Sequence, residues 1–256
     1  MSTELVAGEG VIEVDDALVP LLQQRCVWAH LLPSGQPGVP RLSLSAHAPT
    51  PEVGAKGLAL DVKRPEWGSV VVEEERVRAH ILPDPYAAEA ALRAAVLVSL
   101  LRQGGVLLHA AGVAFSGKAL VIVGPSGAGK STLARAAVAA GGELLSDETV
   151  GLHPSGRVYG TPFRSDPDLV PTCASARLAR ITWVVKGPAE SVHPVEPAEA
   201  VRMLLQQSYR PPPGTVTLPE LTARAAAWVE RVGVHRFLCR KDPDAGTFAR
   251  DFVGAA

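Results

Sequence analysis

The chain has 256 residues, enough for one large domain or a main domain with a smaller partner, and 47% of them are hydrophobic, which excludes a disordered chain. Lys plus Arg number 25 against 26 Asp plus Glu, for a formal charge of -1. This balance lacks the basic excess that advertises nucleic acid or an anionic membrane, so neither is expected as a partner.

The first hundred residues carry short β-like runs, "GVIEV", "LSLSAH", "GLALDV" and "SVVVEEERVRAHIL", broken by the turn-forming "PSGQPGVP" and "APTPEVGAKG". The expectation is a mainly β N-terminal part over residues 1–84. "DPYAAEAALRAAVLVSLLRQGG" then changes period. Asp84 is placed to cap, Pro85 to start a helix, and Gly104–Gly105 to stop it, which predicts a helix over 85–103 at the start of an 85–256 core. Its apolar run "AAVLVSLL" is too short to cross a bilayer.

The three cysteines, Cys26, Cys173 and Cys239, are widely spaced and form no zinc or redox pattern, so they read as reduced thiols. The acidic start "MSTELVAGEGVIEVDD" lacks the basic-then-apolar order of a signal peptide. Together these point to the cytoplasm.

"VLLHAAGVAF" and "ALVIVG", joined by "SGK", read as a hairpin leading into a glycine loop, and a helix follows from Ser131 to about Ala140. "ELLSDETVGL" reads as a strand and its end, and "RLARITWVVKG" contains another. "EPAEAVRMLLQQSY" and "LPELTARAAAWVERVG" read as helices separated by a Pro-rich loop, and "HRFLCR" as a last short strand.

The loop carries the chemistry. Gly124, Gly129, Lys130 and Ser131 fill the pattern G-x-x-x-x-G-K-[ST], with Pro125, Ser126, Gly127 and Ala128 between them and Thr132 after. Glycines let the backbone fold into a nest of N–H groups that points at phosphate oxygens, aided by the positive end of the following helix. In this pattern Lys130 reaches the β- and γ-phosphates and the Ser131 hydroxyl ligates Mg²⁺, so ATP and Mg²⁺ are the expected cofactors. The octet "GPSGAGKS" also occurs in transporter-type ATPases, but their glutamine loop and "LSGGQ"-like signature have no counterpart here.

Asp147 follows Lys130 by only 147 − 130 = 17 residues, room for one helix and one return strand, which argues for a compact kinase-like core. Adjacent acids inside a strand point to opposite faces. Asp147 and Glu148 can both face a nucleotide only where the strand ends and the backbone bends, and the apolar "ELL" stops just before, at Ser146. An acid near the γ-phosphate can hold Mg²⁺ or accept the proton of an attacking hydroxyl, and two could share those jobs. His109, in the first arm of the expected hairpin, is either a hydrogen-bonded core residue or a group near the transferred phosphate. Arg164, in "GTPFRSD", is either a surface cation or a group that neutralises developing phosphate charge; Ser165 and Asp166 could line the same opening.

The stretch "HAAGVAFSGKALVIVGPSGAGKS…GGELLSDE", from His109 to Glu148, resembles the HPr kinase/phosphorylase group, whose core is shared with phosphoenolpyruvate carboxykinase. The resemblance implies an α/β fold with an HPr-kinase/carboxykinase-like phosphate-loop core behind the β-rich N-terminal part. It implies Lys130 on phosphate, Mg²⁺ at Ser131 with the paired acids, His109 as the family's histidine, and the second acid as the base for a serine hydroxyl. Here that second acid, Glu148, stands where the family has Asp, and the "LEIRGLG"-like segment has no counterpart, as in divergent relatives. The expected activity is transfer of the ATP γ-phosphoryl group to a hydroxyl, first of all serine in a protein or peptide. A small-molecule kinase, a simple NTPase and a non-catalytic nucleotide-binding regulatory module are the alternatives. A homo-oligomer stays open.

Overall fold

The computed structural model describes residues 3–26, 40–49, 58–60, 64–172, 174–240 and 244–256. Cys173 and most of the two N-terminal turn-forming segments lie outside the described residues. The chain divides into two compact units, residues 1–103 with 211–215, and residues 104–210 with 216–256.

The first unit is a six-stranded sheet. Its elements are β1 (Thr3–Ala7), β2 (Gly10–Val14), the short α1 (Val19–Leu22), β3 (Arg41–His47), β4 (Leu58–Ala59), β5 (Ser69–Val72) and β6 (Arg76–His80), in strand order β1-β2-β3-β6-β5-β4. The run "SVVVEEERVRAHIL" is thus a hairpin of two strands, because the three glutamates after Val72 fall at its turn. A long helix, α2 (Pro85–Arg102), follows; Asp84 caps it, its carboxylate accepting from the N–H groups of Tyr86 and Ala87, each at 2.9 Å. The division falls after Gln103 and not at residue 84, because the buried Ala, Leu and Val side chains of α2 pack on β2, β3 and β5.

The second unit is built on a nine-stranded mixed sheet. It begins with β7 (Val106–His109), β8 (Ala111–Phe115) and β9 (Lys118–Val123). The expected single arm before the loop is therefore two strands. β8 pairs with β9 in a hairpin closed by Ser116 and Gly117, both at positive φ (50° and 78°), as a two-residue turn between right-twisted strands demands. β7, which carries His109, leaves that hairpin and pairs elsewhere.

After β9 come helix α3 (Lys130–Ala139), β10 (Glu143–Ser146), β11 (Thr149–Leu152), β12 (Arg157–Tyr159) and the long β13 (Ser175–Lys186). The unit closes with β14 (Ser191–Pro194), α4 (Pro197–Gln207), α5 (Leu218–Val232), β15 (His235–Cys239) and α6 (Asp244–Gly254). β10 pairs with β8, whereas β11 pairs with β7 and β12, so "ELLSDETVGL" is two strands that part company at the acids. β13 runs parallel to β9 and to β15. The carboxyl ends of β9, β10, β13 and β15 therefore lie at one end of the sheet, where open α/β sheets place their ligands.

The core beneath that end joins Leu120 and Ile122 of β9 to Leu133, Ala134 and Ala137 of α3 and to Ala245, Ala249 and Val253 of α6. Each fully buried Leu or Ile stabilises the fold by about 1.5–3 kcal/mol. Sequence reading missed α6, which packs tightly on the helix that follows the glycine loop. Among the described residues no helix is long and apolar enough to cross a membrane.

Gly246 marks that close approach: a Cβ there would lie 2.0 Å from the carbonyl oxygen of Ala136 in α3. Gly246→Ala must push α6 away from α3, and overpacking of this kind costs about 1–3 kcal/mol. A thermal melt should show a transition several degrees lower; an unchanged melting temperature would mean that the two helices are not in register as described.

Candidate functional site

The apolar strand β9 ends at Val123, and the loop from Gly124 to Gly129 turns the chain directly into α3. Gly129 precedes the first helical residue with φ at 112°, a conformation that side chains resist. Gly124 has φ at 150°, and a Cβ on it would lie 3.3 Å from the backbone oxygen of Val184 in β13. The loop is therefore glycine where the backbone turns and where a neighbouring strand crowds it. Lys130 is 7% exposed, and its ammonium donates to the carbonyls of Gly124 (2.8 Å) and Pro125 (3.3 Å). Burial pushes its pKa below the ordinary lysine value.

Asp147 and Glu148 occupy the bend between β10 and β11, so the strand ends where the two acids begin. The bend is fixed by Ser146, which is fully buried. Its hydroxyl donates to the carbonyl of Phe163 (3.2 Å), lies 3.3 Å from the Thr161 hydroxyl and accepts from the N–H of Thr149 (3.2 Å). Thr161 in turn donates to the carbonyl of Thr149 (2.7 Å). This network ties "GTPFRSD" to the acids.

Asp147 is 1% exposed. Its Oδ2 accepts from the Ser165 hydroxyl (2.8 Å) and from the N–H groups of Asp166 (2.8 Å) and Ser165 (3.2 Å); Oδ1 receives only a longer contact from the Ser165 N–H, at 3.3 Å. Burial pushes the carboxyl pKa up more than these donors pull it down, and the charge of Glu148 adds to the rise. Asp166 is held from the other side by an ion pair with Arg135 of α3.

These groups surround one cavity of about 620 Å³, within the range of small-ligand sites. The structure brings Lys130, Ser131, Thr132 and loop residues 126–129 together with His109, Asp147 and Ser165 around it. His109 reaches it from the end of β7, beside Thr149 of β11, and not from the hairpin. Glu148 and Arg164, both half-buried, are not among the lining residues, so the two acids do not share the cavity equally. Gly124 and Pro125 are not among the lining residues; their carbonyls accept from Lys130.

Sequence reading missed Lys186, Gly187, Cys239 and Arg240, which line the same cavity from the ends of β13 and β15. Only the parallel register, Trp183 beside Val123 and Lys186 beside Cys239, brings them there, and no local pattern encodes it. Cys26 and Cys239 carry free thiols.

A divalent ion can be tested against these donors. Mg²⁺ in nucleotide sites takes one or two protein oxygens and draws the rest from phosphate and water. The Ser131 hydroxyl in this cavity, with phosphate oxygens and water completing the shell, fits that demand. Among the described residues no cluster of three His, Cys, Asp or Glu would hold a metal without the phosphates.

No family model and no curated protein matches the chain. Among solved structures, the HPr(Ser) kinase/phosphatase from Coxiella burnetii is similar to it at 15% identity, over 58% of this chain and 94% of that one, with a TM-score of 0.29.

The raised pKa of Asp147 has a defined signature. The folded protein holds this proton at pH values where the unfolded chain, near an ordinary aspartate pKa of about 3.9, has lost it. Asp147 therefore favours folding below that pH, and its contribution is lost as pH rises through the folded value. Denaturant titrations from pH 3.5 upward should show the wild-type stability falling relative to Asp147→Asn across this window. A difference that stays flat or rises with pH would contradict the assigned burial.

Proposed function

We propose that the chain is an ATP-dependent kinase that transfers the γ-phosphoryl group to a hydroxyl, in the first place a serine of a protein or peptide. The observation that carries this reading is the convergence of Lys130, Ser131 and Asp147 on one cavity. The HPr-kinase-like sequence from His109 to Glu148 supports it. So does the size of the cavity: a nucleotide takes up most of it, and the acceptor then reaches the γ-phosphate from outside, as a serine on an extended segment does.

In this mechanism the N–H groups of the loop and the positive end of α3 hold the phosphate chain. Lys130 turns from the loop carbonyls to the β- and γ-phosphates and neutralises charge on the transferring group. Ser131 would hold Mg²⁺ with phosphate oxygens, and the ion supplies further neutralisation there. Asp147 takes the acceptor's proton. Its Oδ2 is committed to Ser165 and Asp166, while Oδ1 faces the weaker contact and is the oxygen for an incoming hydroxyl. The hydroxyl oxygen attacks the γ-phosphorus, the bond to the β–γ bridging oxygen breaks, ADP leaves, and the proton ends on Asp147. Glu148, outside the lining, acts on Asp147 through its charge.

Incubation with γ-labelled ATP, Mg²⁺ and a protein extract tests this. Asp147→Asn should lower labelling by at least about a hundredfold, the usual loss for a missing general base. Glu148→Gln should retain transfer within about tenfold, since one kcal-scale charge effect is all it removes. Full transfer by Asp147→Asn would overturn the mechanism, and label found only in water would replace the kinase by a hydrolase.

A further inference from the structure

The strand order across the ligand end of the sheet gives the site a direction. It runs β10, β8, β9, β13, with β15 beside β13. Asp147 follows β10 on one side of the glycine loop, and on the other Lys186 ends β13 and Arg240 follows β15. Adjacent strands lie about 4.8 Å apart, so the end of β10 and that of β15 are separated by four spacings, about 19 Å. That span is comparable to an extended nucleoside triphosphate. Among the described residues that line the cavity, Asp147 is the one carboxylate, and the cations besides Lys130 are Lys186 and Arg240.

We infer that the nucleotide lies along this axis, with its γ-phosphate toward Asp147 and its nucleoside over the ends of β13 and β15, where Lys186 meets the α-phosphate and Arg240 the base. The inference rests on the kinase reading and adds the polarity of the bound nucleotide and two residues that hold its far end. If Asp147 receives the acceptor's proton, the terminal phosphate must lie beside it, and a linear tail held by the loop leaves on the opposite side. The side chains there suit what arrives. A lysine ammonium is a compact partner for a phosphate oxygen, and a planar guanidinium stacks on an aromatic base or bonds to its edge. Both side chains are exposed, at the open end of the cavity, where a nucleoside enters without burying an uncompensated charge. The acceptor is then confined to the rim near His109 and Ser165.

Calorimetric titration with two probes, Mg²⁺–ATP and Mg²⁺–tripolyphosphate, separates the parts. Tripolyphosphate has the phosphate chain and no nucleoside. Arg240→Ala should weaken ATP about tenfold, the loss expected for one charge-assisted contact, and leave tripolyphosphate unchanged, which also shows that the variant is folded. Lys186→Ala should weaken both probes, because tripolyphosphate places a phosphate where the α-phosphate lies. Unchanged ATP affinity in Arg240→Ala, or equal loss for both probes, overturns the inference while the kinase reading stands. A wild-type protein that binds neither probe overturns both.

Discussion

A buried carboxylate is costly, and the way Asp147 meets that cost organises the site. Its side chain is almost out of water, and its charge is met by the hydroxyl and N–H of Ser165 and the N–H of Asp166. Those donors lie on a segment that is tied down, because the Ser146 hydroxyl at the end of β10 holds its Phe163 carbonyl and its Thr161 hydroxyl holds the Thr149 carbonyl at the start of β11. Asp166 is also paired with Arg135, one turn beyond Ser131 on α3. The acid and the glycine loop are thus connected by a continuous set of polar contacts on a packed core.

The same arrangement explains why two neighbouring acids take different places. Inside a strand they would face opposite sides of the sheet; at the bend after Ser146 only Asp147 turns into the cavity, and Glu148 influences it by charge. The resemblance to HPr kinases implied the second acid as the base. The proposed mechanism gives that role to the first, because the extra methylene of Glu148 does not bring it among the lining residues.

Legibility in the sequence followed the range of the interactions. The glycine loop, its strand and its helix are local, since the backbone conformations of Gly124 and Gly129 and the apolar run before them are written in consecutive residues. The end of β10 at Ser146 was visible for the same reason. What failed was long-range pairing. The run from Val106 to Phe115 looks like one strand because β7 and β8 are both apolar, yet they join different neighbours. Lys186 and Arg240 lie 56 and 110 positions beyond Lys130, and only the parallel register of β13 and β15 brings them to its cavity. The sequence put Arg164 forward as the candidate phosphate-neutralising group and Ser165 only as a companion at the same opening, but it is Ser165 that hydrogen-bonds Asp147.

The measurement that tests this account most directly is a crystal structure with a non-hydrolysable ATP analogue and Mn²⁺, located by its anomalous signal. The account predicts the metal at the Ser131 hydroxyl and the terminal phosphate between the Lys130 ammonium and the Asp147 carboxylate. A nucleotide bound elsewhere, or a terminal phosphate on the far side of the loop from Asp147, would contradict it.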